Sequence, residues 1–399
     1  MLCNDCIEEL TGLKDIIVKD VKNIYGEQHI YAVMHKRIHT CPACGEKTLK
    51  VHDYREQIIK DLSSFGQITY IHLRKRRHVC PVCGKRFYEE VDFLPRYHRM
   101  TSRLYTYLID QFHDVSSVKH ISRKSNVSST TAMRIFDIIE YPRPVLPKVL
   151  SIDEFRGNAG GEKFQCILTD PQNKKVLDIL PERRAESLYA YFSSFDKVEK
   201  EKVKYISIDM SALFRSVLKR CFPKASIIAD KYHVVRQVTW ALDRVRKEEQ
   251  KKFSRDRRLH FKHSRQILLK PSCRLTEYEK DQLAVMLRAS DIMREAYLMR
   301  EAYLRKVEFE KVMNSGSKDE AKRRLSKWIV LTQNSSIKEY QTCCNTFIKW
   351  FDEITESFDH NITNGYTEGV NNKIKVLKRV SFGVQNFSRF RNRILHMMA

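Results

Sequence analysis

Two short runs of one form, Cys41-Pro-Ala-Cys44-Gly45 and Cys80-Pro-Val-Cys83-Gly84, constrain this chain more than any other feature. Each sets two thiols in a tight turn that a glycine closes. Four thiolates brought together suit tetrahedral zinc and leave no position open for catalysis. The knuckles are expected to meet around one structural zinc ion although residues 45–79 intervene, because loop closure costs rise slowly with length. Cys3 and Cys6 have the same spacing but no second pair, and read as two free thiols near a mobile terminus. His35, His39, His52 and His78 are alternative ligands or phosphate contacts, and the sequence assigns none of them.

The rest of residues 1–95 reads as short strands, so this segment is expected to be a zinc-ribbon DNA-binding domain. In QITYIHLRKRRHV (67–79), Ile68, Tyr70 and His72 alternate with Thr69, Ile71 and Leu73 as on a half-buried strand. The strand then turns basic at Arg74, Lys75, Arg76 and Arg77, four cations expected to hold DNA phosphates without reading bases. The whole chain favours a polyanionic partner: 73 Lys and Arg against 49 Asp and Glu give a formal charge of +24. No apolar run approaches the ~20 residues that span a bilayer. Residues 1–30 also lack a basic start followed by an apolar core. No membrane association is expected, and the location is expected to be cytoplasmic, nucleoid-associated when DNA is bound. There, spaced cysteines bind metal more often than they form disulfides.

Residues 96–145 read as short helices running into a linker marked by Pro142, Pro144 and Pro147. One amphipathic helix begins at Thr101, a second covers roughly 115–122, and a third opens after Ser128, a natural N-cap. Helix, short turn through Asn126 and Val127, helix is the helix-turn-helix pattern. Its second helix would present Ser129, Thr130 and Arg134 to a major groove.

Beyond the prolines come strands at VLSIDEF (149–155), EKFQCILTD (162–170) and KKVLDIL (174–180), then a helical stretch near 185–195. VKYISID (203–209), another helical stretch and ASIIAD (225–230) follow. The first three strands are joined by turn-like segments and the later ones alternate with helices. This β-β-β-α-β-α-β order predicts an α/β RNase H-like catalytic domain, a mixed sheet with flanking helices, over residues 146–399. Residues of about 235–357 are helical in period and read as an insertion into it.

In such a sheet the first and fourth strands are neighbours, so Asp153 and Asp209 can approach one point. Both are carboxylates in apolar strands, where an unpaired buried charge is costly. A hard cation would offset that cost. Strand alternation turns Glu154 to the other face and favours Asp153. Asp230 and His233, in ADKYHV, are secondary candidates near the metals, with a helix cap the simpler role for Asp230. In the segment 361–379, Val370, Ile374 and Leu377 form a packing stripe. Glu368, Asn372, Lys375 and Arg379 share another face, offering a metal ligand, an amide and two cations for DNA.

The run TNGYTEGVNNKIKVLKRVSFGVQNFSRFRNRI resembles the C-terminal signature of the ISL3 family of bacterial insertion-sequence transposases. CPACG, CPVCGKRF, SIDEF, SIDMS and ADKYHV fall in that family's order over nearly the whole chain. The resemblance implies that Asp153, Asp209 and Glu368 are a DDE triad, that the helical insertion lies between Asp209 and Glu368, and that residues 41–83 are the zinc-binding element. The expected chemistry is phosphoryl transfer on DNA with two Mg²⁺ ions, or Mn²⁺, about 3.5–4 Å apart. Water would attack first and a freed 3′-hydroxyl second. The zinc ribbon and helix-turn-helix would bind the terminal inverted repeats, target DNA would be joined, and paired ends would need a homodimer or higher oligomer. The alternative is a catalytically inactive, domesticated DNA-binding regulator. A serine or tyrosine recombinase would instead require a covalent protein–DNA link.

Overall fold

Strand alternation builds the first sheet. The computed structural model describes residues 12–251, 254, 255, 258, 265–288, 296–360 and 362–399, so the Cys3 and Cys6 pair lies outside the described residues. Strands β1 (Ile16–Ile24), β2 (Glu27–Met34), β3 (His39–Thr40), β4 (Lys47–Thr48), β5 (Val51–Ser64), β6 (Gln67–Val79) and β7 (Arg86–Tyr88) come first. The main sheet runs β1-β2-β6-β5 with β7 paired to β6, and β3 and β4 form a separate hairpin. Thr69, Ile71 and Leu73 of β6 are buried, as the alternation predicted, with Ile71 and Leu73 packing against Leu13, Ile16 and Ile59. After Leu73 the buried phase of β6 switches to Arg76 and His78, where β7 pairs with it.

Three capped helices follow: α1 (Ser102–Asp110), α2 (Val118–Lys124) and α3 (Ser129–Phe136). The hydroxyls of Thr101, Ser117 and Ser128 accept the backbone N–H groups of Leu104, His120 and Thr131, each satisfying an orphan donor of a first turn. The Ser117 cap explains why α2 starts later than the sequence pattern suggested. Leu108, Phe112, Ile121, Ala132, Ile135 and Phe136 make a small core for the trio.

The second sheet has order β10-β9-β8-β11-β12. Its strands are β8 (Val149–Phe155), β9 (Gln165–Asp170), β10 (Lys175–Leu180), β11 (Tyr205–Ile208) and β12 (Ser226–Ala229). β8, β9 and β10 pair antiparallel, while β8, β11 and β12 are parallel. Helices α4 (Ala185–Ser193), α5 (Lys197–Lys202) and α6 (Ala212–Cys221) supply the connections. From β12 the chain enters α7 (Lys231–Lys251), α8 (Arg265–Leu269), α9 (Glu277–Arg288), α10 (Ala296–Met313), α11 (Lys318–Gln333), α12 (Lys338–Lys349) and α13 (Phe351–Glu356). These helices are not a separate body: Leu242, Trp328, Tyr340 and Phe347 share one apolar cluster with Leu150, Ile152, Ile206 and Ile208 of the sheet.

The chain ends in α14 (Gly365–Val380) and α15 (Phe387–Met398). One compact unit takes the described chain up to Tyr141 together with Lys375–Val384 and Ser388–Ala399, and the other takes Pro142–Ile374 with Gln385–Phe387. Arg393 of α15 donates to the carbonyls of Phe112, Asp114 and Ser116, which ties the C-terminal helix to the α1–α3 trio.

Candidate active site and metal centre

The two knuckles fold alike because each repeats the same backbone bonds. Gly45 N–H donates to the Cys41 carbonyl at 2.9 Å and Gly84 N–H to the Cys80 carbonyl at 3.1 Å. Both glycines have positive φ, +76° and +71°, which a side chain would strain. Cys41, Cys44, Cys80 and Cys83 come together, with Cys41 and Cys83 sulfurs 3.6 Å apart and Cys44 and Cys80 sulfurs 3.4 Å apart. A tetrahedron with 2.3 Å zinc–sulfur bonds has edges of about 3.8 Å. The donor set and its spacing therefore fit structural zinc. Backbone N–H groups of Cys83 and Val82 aim at the Cys80 sulfur and hold its pKa down at about 7.

The basic run beside the second knuckle is less available than its sequence suggests. Arg76 is buried, pairs with Glu89 at 3.0 Å and donates to the Met34 carbonyl at 2.8 Å. It is a structural ion pair and not a phosphate contact, because the phase switch in β6 turns it inward. Arg77 pairs with Asp53 at 3.5 Å, and the Lys75 amine lies over the Tyr88 ring. Arg74 is exposed and lies 4.3 Å over the Tyr54 ring.

Ser129, Thr130 and Arg134 lie exposed on α3, as a recognition helix requires. Ser122 donates to the Ser129 hydroxyl at 3.1 Å, so Ser129 also joins α2 to α3. The turn between them passes through Asn126 at φ +50°. A shallow cleft at this turn is lined by Lys60, Lys119, Arg123 and Ser128, and the sequence reading missed its three cations. Lys60 comes from β5, distant in sequence, and nothing local signals its arrival here.

The acids gather at the carboxyl ends of the parallel strands. Ile152 of β8 pairs with Ile208 of β11, and Ile208 pairs with Ala229 of β12. The next residue in each chain segment is Asp153, Asp209 and Asp230, so three carboxylates follow one register. Burial pushes the Asp153 carboxyl up to about 6, and repulsion from Asp209, Glu154 and Asp230 adds to the rise. Burial also raises Asp209 and Asp230, against the pull of His233 on both. Glu154, whose side chain was expected to face away, still repels Asp153 and Asp209, and it pairs with Arg183.

Glu368 reaches this row from α14, where it adds to the repulsion on Asp230. The helix is docked by side chains the sequence reading passed over. Ser151 of β8 donates to the Asn364 side chain, Thr169 of β9 and Thr367 share a hydrogen bond at 2.7 Å, and Asn371 donates to the Asp153 carboxylate at 2.9 Å. Asn364, Thr367 and Asn371 are all buried, one helical face apart from exposed Glu368, Asn372, Lys375 and Arg379. Val370, Ile374 and Leu377 are buried as expected. The spacing 364, 367, 371 is the available signal: a polar stripe at helical period aimed at a sheet.

These acids fit a divalent cation in chemistry. Like charges are held together, burial penalises them, and the side-chain oxygen Oδ1 of Asn371, whose amide nitrogen donates to Asp153, is buried without a partner. Among the described residues, the groups whose ligand atoms already lie within 4.8 Å are the four cysteines and the trio His39, His78 and Glu89. The carboxylate row is more open than either.

Comparison with known proteins matches three stretches of the chain. Residues 150–394 match a family profile described as transposase, of the ISL3 type. Residues 37–84 match the zinc finger of transposases IS204/IS1001/IS1096/IS1165, and residues 89–137 the helix-turn-helix domain of transposase family ISL3. The transposase for insertion sequence element IS1001 of Bordetella parapertussis is 26% identical over 369 residues, covering 90% of this chain and 89% of that protein. The transposase for IS1557 of Mycobacterium tuberculosis is 24% identical over 247 residues, covering 56% of this chain and 54% of its own. Among the described residues, no helix is long and apolar enough to cross a membrane.

Proposed function

The chain belongs to the ISL3 family of transposases, and on that premise we propose that it cuts and rejoins DNA at Asp153, Asp209 and Glu368 within an RNase H-like domain. The helix-turn-helix and transposase regions indicate DNA binding. The observation that carries the chemical reading is the shared register of Asp153 and Asp209 at adjacent strand ends, with Glu368 delivered by a helix hydrogen-bonded to the same strand. The sheet order and its mix of antiparallel and parallel strands support the RNase H-like assignment.

Two Mg²⁺ ions, when bound, would supply a polarised phosphate and an activated attacking oxygen. Asp153 and Asp209 would hold them between adjacent strands, and Glu368 would hold them from the helix side. Asn371 keeps the Asp153 carboxylate turned toward the row through its 2.9 Å hydrogen bond. Asp230 stands in the same register and repels Asp153, which supports a place for it beside the ions as well as at the start of α7. Lys375 and Arg379, exposed on α14, would hold the phosphates of the strand being cut. Terminal inverted repeats would be gripped by Arg74 of the zinc ribbon and by Thr130 and Arg134 of α3, with two ends paired by a dimer or larger assembly.

Purified protein mixed with DNA carrying its own flanking ends tests this directly. Strand cleavage is expected with Mg²⁺ and not with EDTA, and Asp153→Ala, Asp209→Ala and Glu368→Ala should each abolish it while leaving end binding intact. Cleavage that survives one of these changes removes that residue from the triad. Wild-type protein that binds the ends and never cuts them would make the chain a DNA-binding regulator.

A further inference from the structure

We propose that His39, His78 and Glu89 form a second metal site beside the four-cysteine cluster, one that takes a zinc-like transition ion through imidazole nitrogens and a carboxylate oxygen. The two knuckles are longer repeats than their cysteines alone show: His39-Thr-Cys41-Pro-Ala-Cys44-Gly45 and His78-Val-Cys80-Pro-Val-Cys83-Gly84 carry a histidine at the same offset. The symmetry that unites four sulfurs therefore also unites two imidazoles. Their rings lie 4.5 Å apart, tilted at 40°, and His78 stacks on Phe87 at 5.9 Å. With Glu89 they place three ligand atoms within 4.8 Å of one another.

Burial makes this arrangement costly without an occupant. His39, His78 and Glu89 are 7%, 2% and 3% exposed, so all three are more than nine-tenths buried. His39 Nε2 and both ring nitrogens of His78 make no hydrogen bond of good geometry, the Lys50 backbone being the nearest polar contact of His78. Buried polar atoms left unpaired are rare, and each neutral imidazole carries one ring-nitrogen lone pair that a metal ion here would take up.

Glu89 is fixed for the same task. Its oxygens accept the Arg76 backbone N–H at 2.7 Å and the Arg76 guanidinium at 3.0 Å, which orients the carboxylate and leaves lone pairs over. Arg76 neutralises Glu89, so an added divalent ion needs compensation from elsewhere. Four thiolates around zinc carry roughly two net negative charges, and they stand two residues away along each knuckle. Imidazole donors select zinc, cobalt or nickel over magnesium and calcium.

Metal content of the full-length chain decides the matter, measured in an Asp153→Asn background so that the carboxylate row contributes little. After dialysis against metal-free buffer, about two zinc ions per chain are expected, falling to about one in the His39→Leu, His78→Phe double variant. About one ion per chain in the protein with both histidines intact overturns the proposal. A cobalt titration of the stripped protein covers the case in which the double variant does not fold. Thiolate-to-cobalt charge-transfer absorption should saturate at one equivalent while ligand-field bands grow to a second. Both signals ending together at one equivalent would overturn the site equally.

Discussion

The four cysteines meet through two local turns, with sulfurs 3.4 and 3.6 Å apart, whereas Asp153, Asp209 and Glu368 arrive from two strand ends and a helix. In the first site four thiols are gathered with their sulfurs 3.4–3.6 Å apart in pairs, and an ion is expected to hold the two small knuckles folded together. In the second the sheet and its core hold the ligands in place whether or not an ion is present, and like charges strain the arrangement. Removing a ligand should therefore have opposite effects on stability in the two places. On the function proposed above, the cysteine site would be part of folding and the carboxylate site would store a charge imbalance that a cation relieves.

The largest expected effect follows from that contrast. Binding of a structural zinc contributes about 10–16 kcal/mol in small zinc modules. Cys80→Ser should thus cost the first unit its zinc and the ordered packing around the knuckles, seen as lost metal content and rapid proteolysis within residues 37–90. A variant that keeps zinc and resists protease would show that the turns fold without their ion, and the comparison would fail on its first side.

Asp153→Asn should separate activity from stability. Strand cleavage is expected to fall by at least ~10²–10³-fold, the scale for deleting one preorganised electrostatic group. The metal-free protein should become more stable near pH 8 by roughly 1–2 kcal/mol, because a carboxyl that burial pushes up to about 6 no longer has to ionise. Thermal melts in EDTA give the second number. A clear loss of stability there would mean that the hydrogen bonds to Asn371 and Glu154 outweigh the charge, and the row would not be strained.

The sign of the pH dependence sharpens the same point. Asp153 has a folded-state pKa of about 6, above the ordinary value of 3.8, so between them the folded protein holds a proton that the unfolded chain releases. Its contribution is therefore present below about pH 4 and is lost as pH rises through about 6, by up to ~3 kcal/mol. The difference in melting between wild type and Asp153→Asn, taken in EDTA from pH 4 to 7, isolates this from the other groups. Mg²⁺ competes with that proton, so stabilisation by Mg²⁺ should fade as pH drops below about 6. A wild type that gains stability over the variant as pH rises would reverse the assignment.

Legibility in the sequence followed locality. The knuckles were readable because their turns are written in consecutive residues, and the placement of Asp153 and Asp209 at adjacent strand ends because both close apolar strand runs. Arg76 misled because four adjacent cations read as one exposed run, while the burial phase of β6 switches after Leu73. The standing of Asp230 depended on the pairing of β11 with β12, which fixes its register with Asp209 and leaves no local mark. Asn364, Thr367 and Asn371 were passed over because polar residues on a helix ordinarily face water. The attachment of α15 to the α1–α3 trio rests on Arg393 reaching backbone carbonyls far away in sequence.

Asn371 offers the finest test of the contrast between the two sites. At the second knuckle, backbone N–H groups orient the Cys80 sulfur. At the carboxylate row a side-chain amide holds Asp153, donating at 2.9 Å, so its removal should loosen one ligand without touching the sheet. Partners that orient metal ligands typically contribute 10–100-fold in metal affinity or activity. Asn371→Ala should accordingly raise the Mg²⁺ concentration needed for half-maximal cleavage by about that factor, with a smaller change in the rate at saturating Mg²⁺. Asn371→Gln, which carries the same amide one carbon further out, should recover little, because the helix fixes where the amide must start. An equal fall in rate at every Mg²⁺ concentration would place Asn371 in the docking of α14 instead, alongside Thr367 and Asn364. Glu368, and not Asp153, would then be the carboxylate whose position it controls.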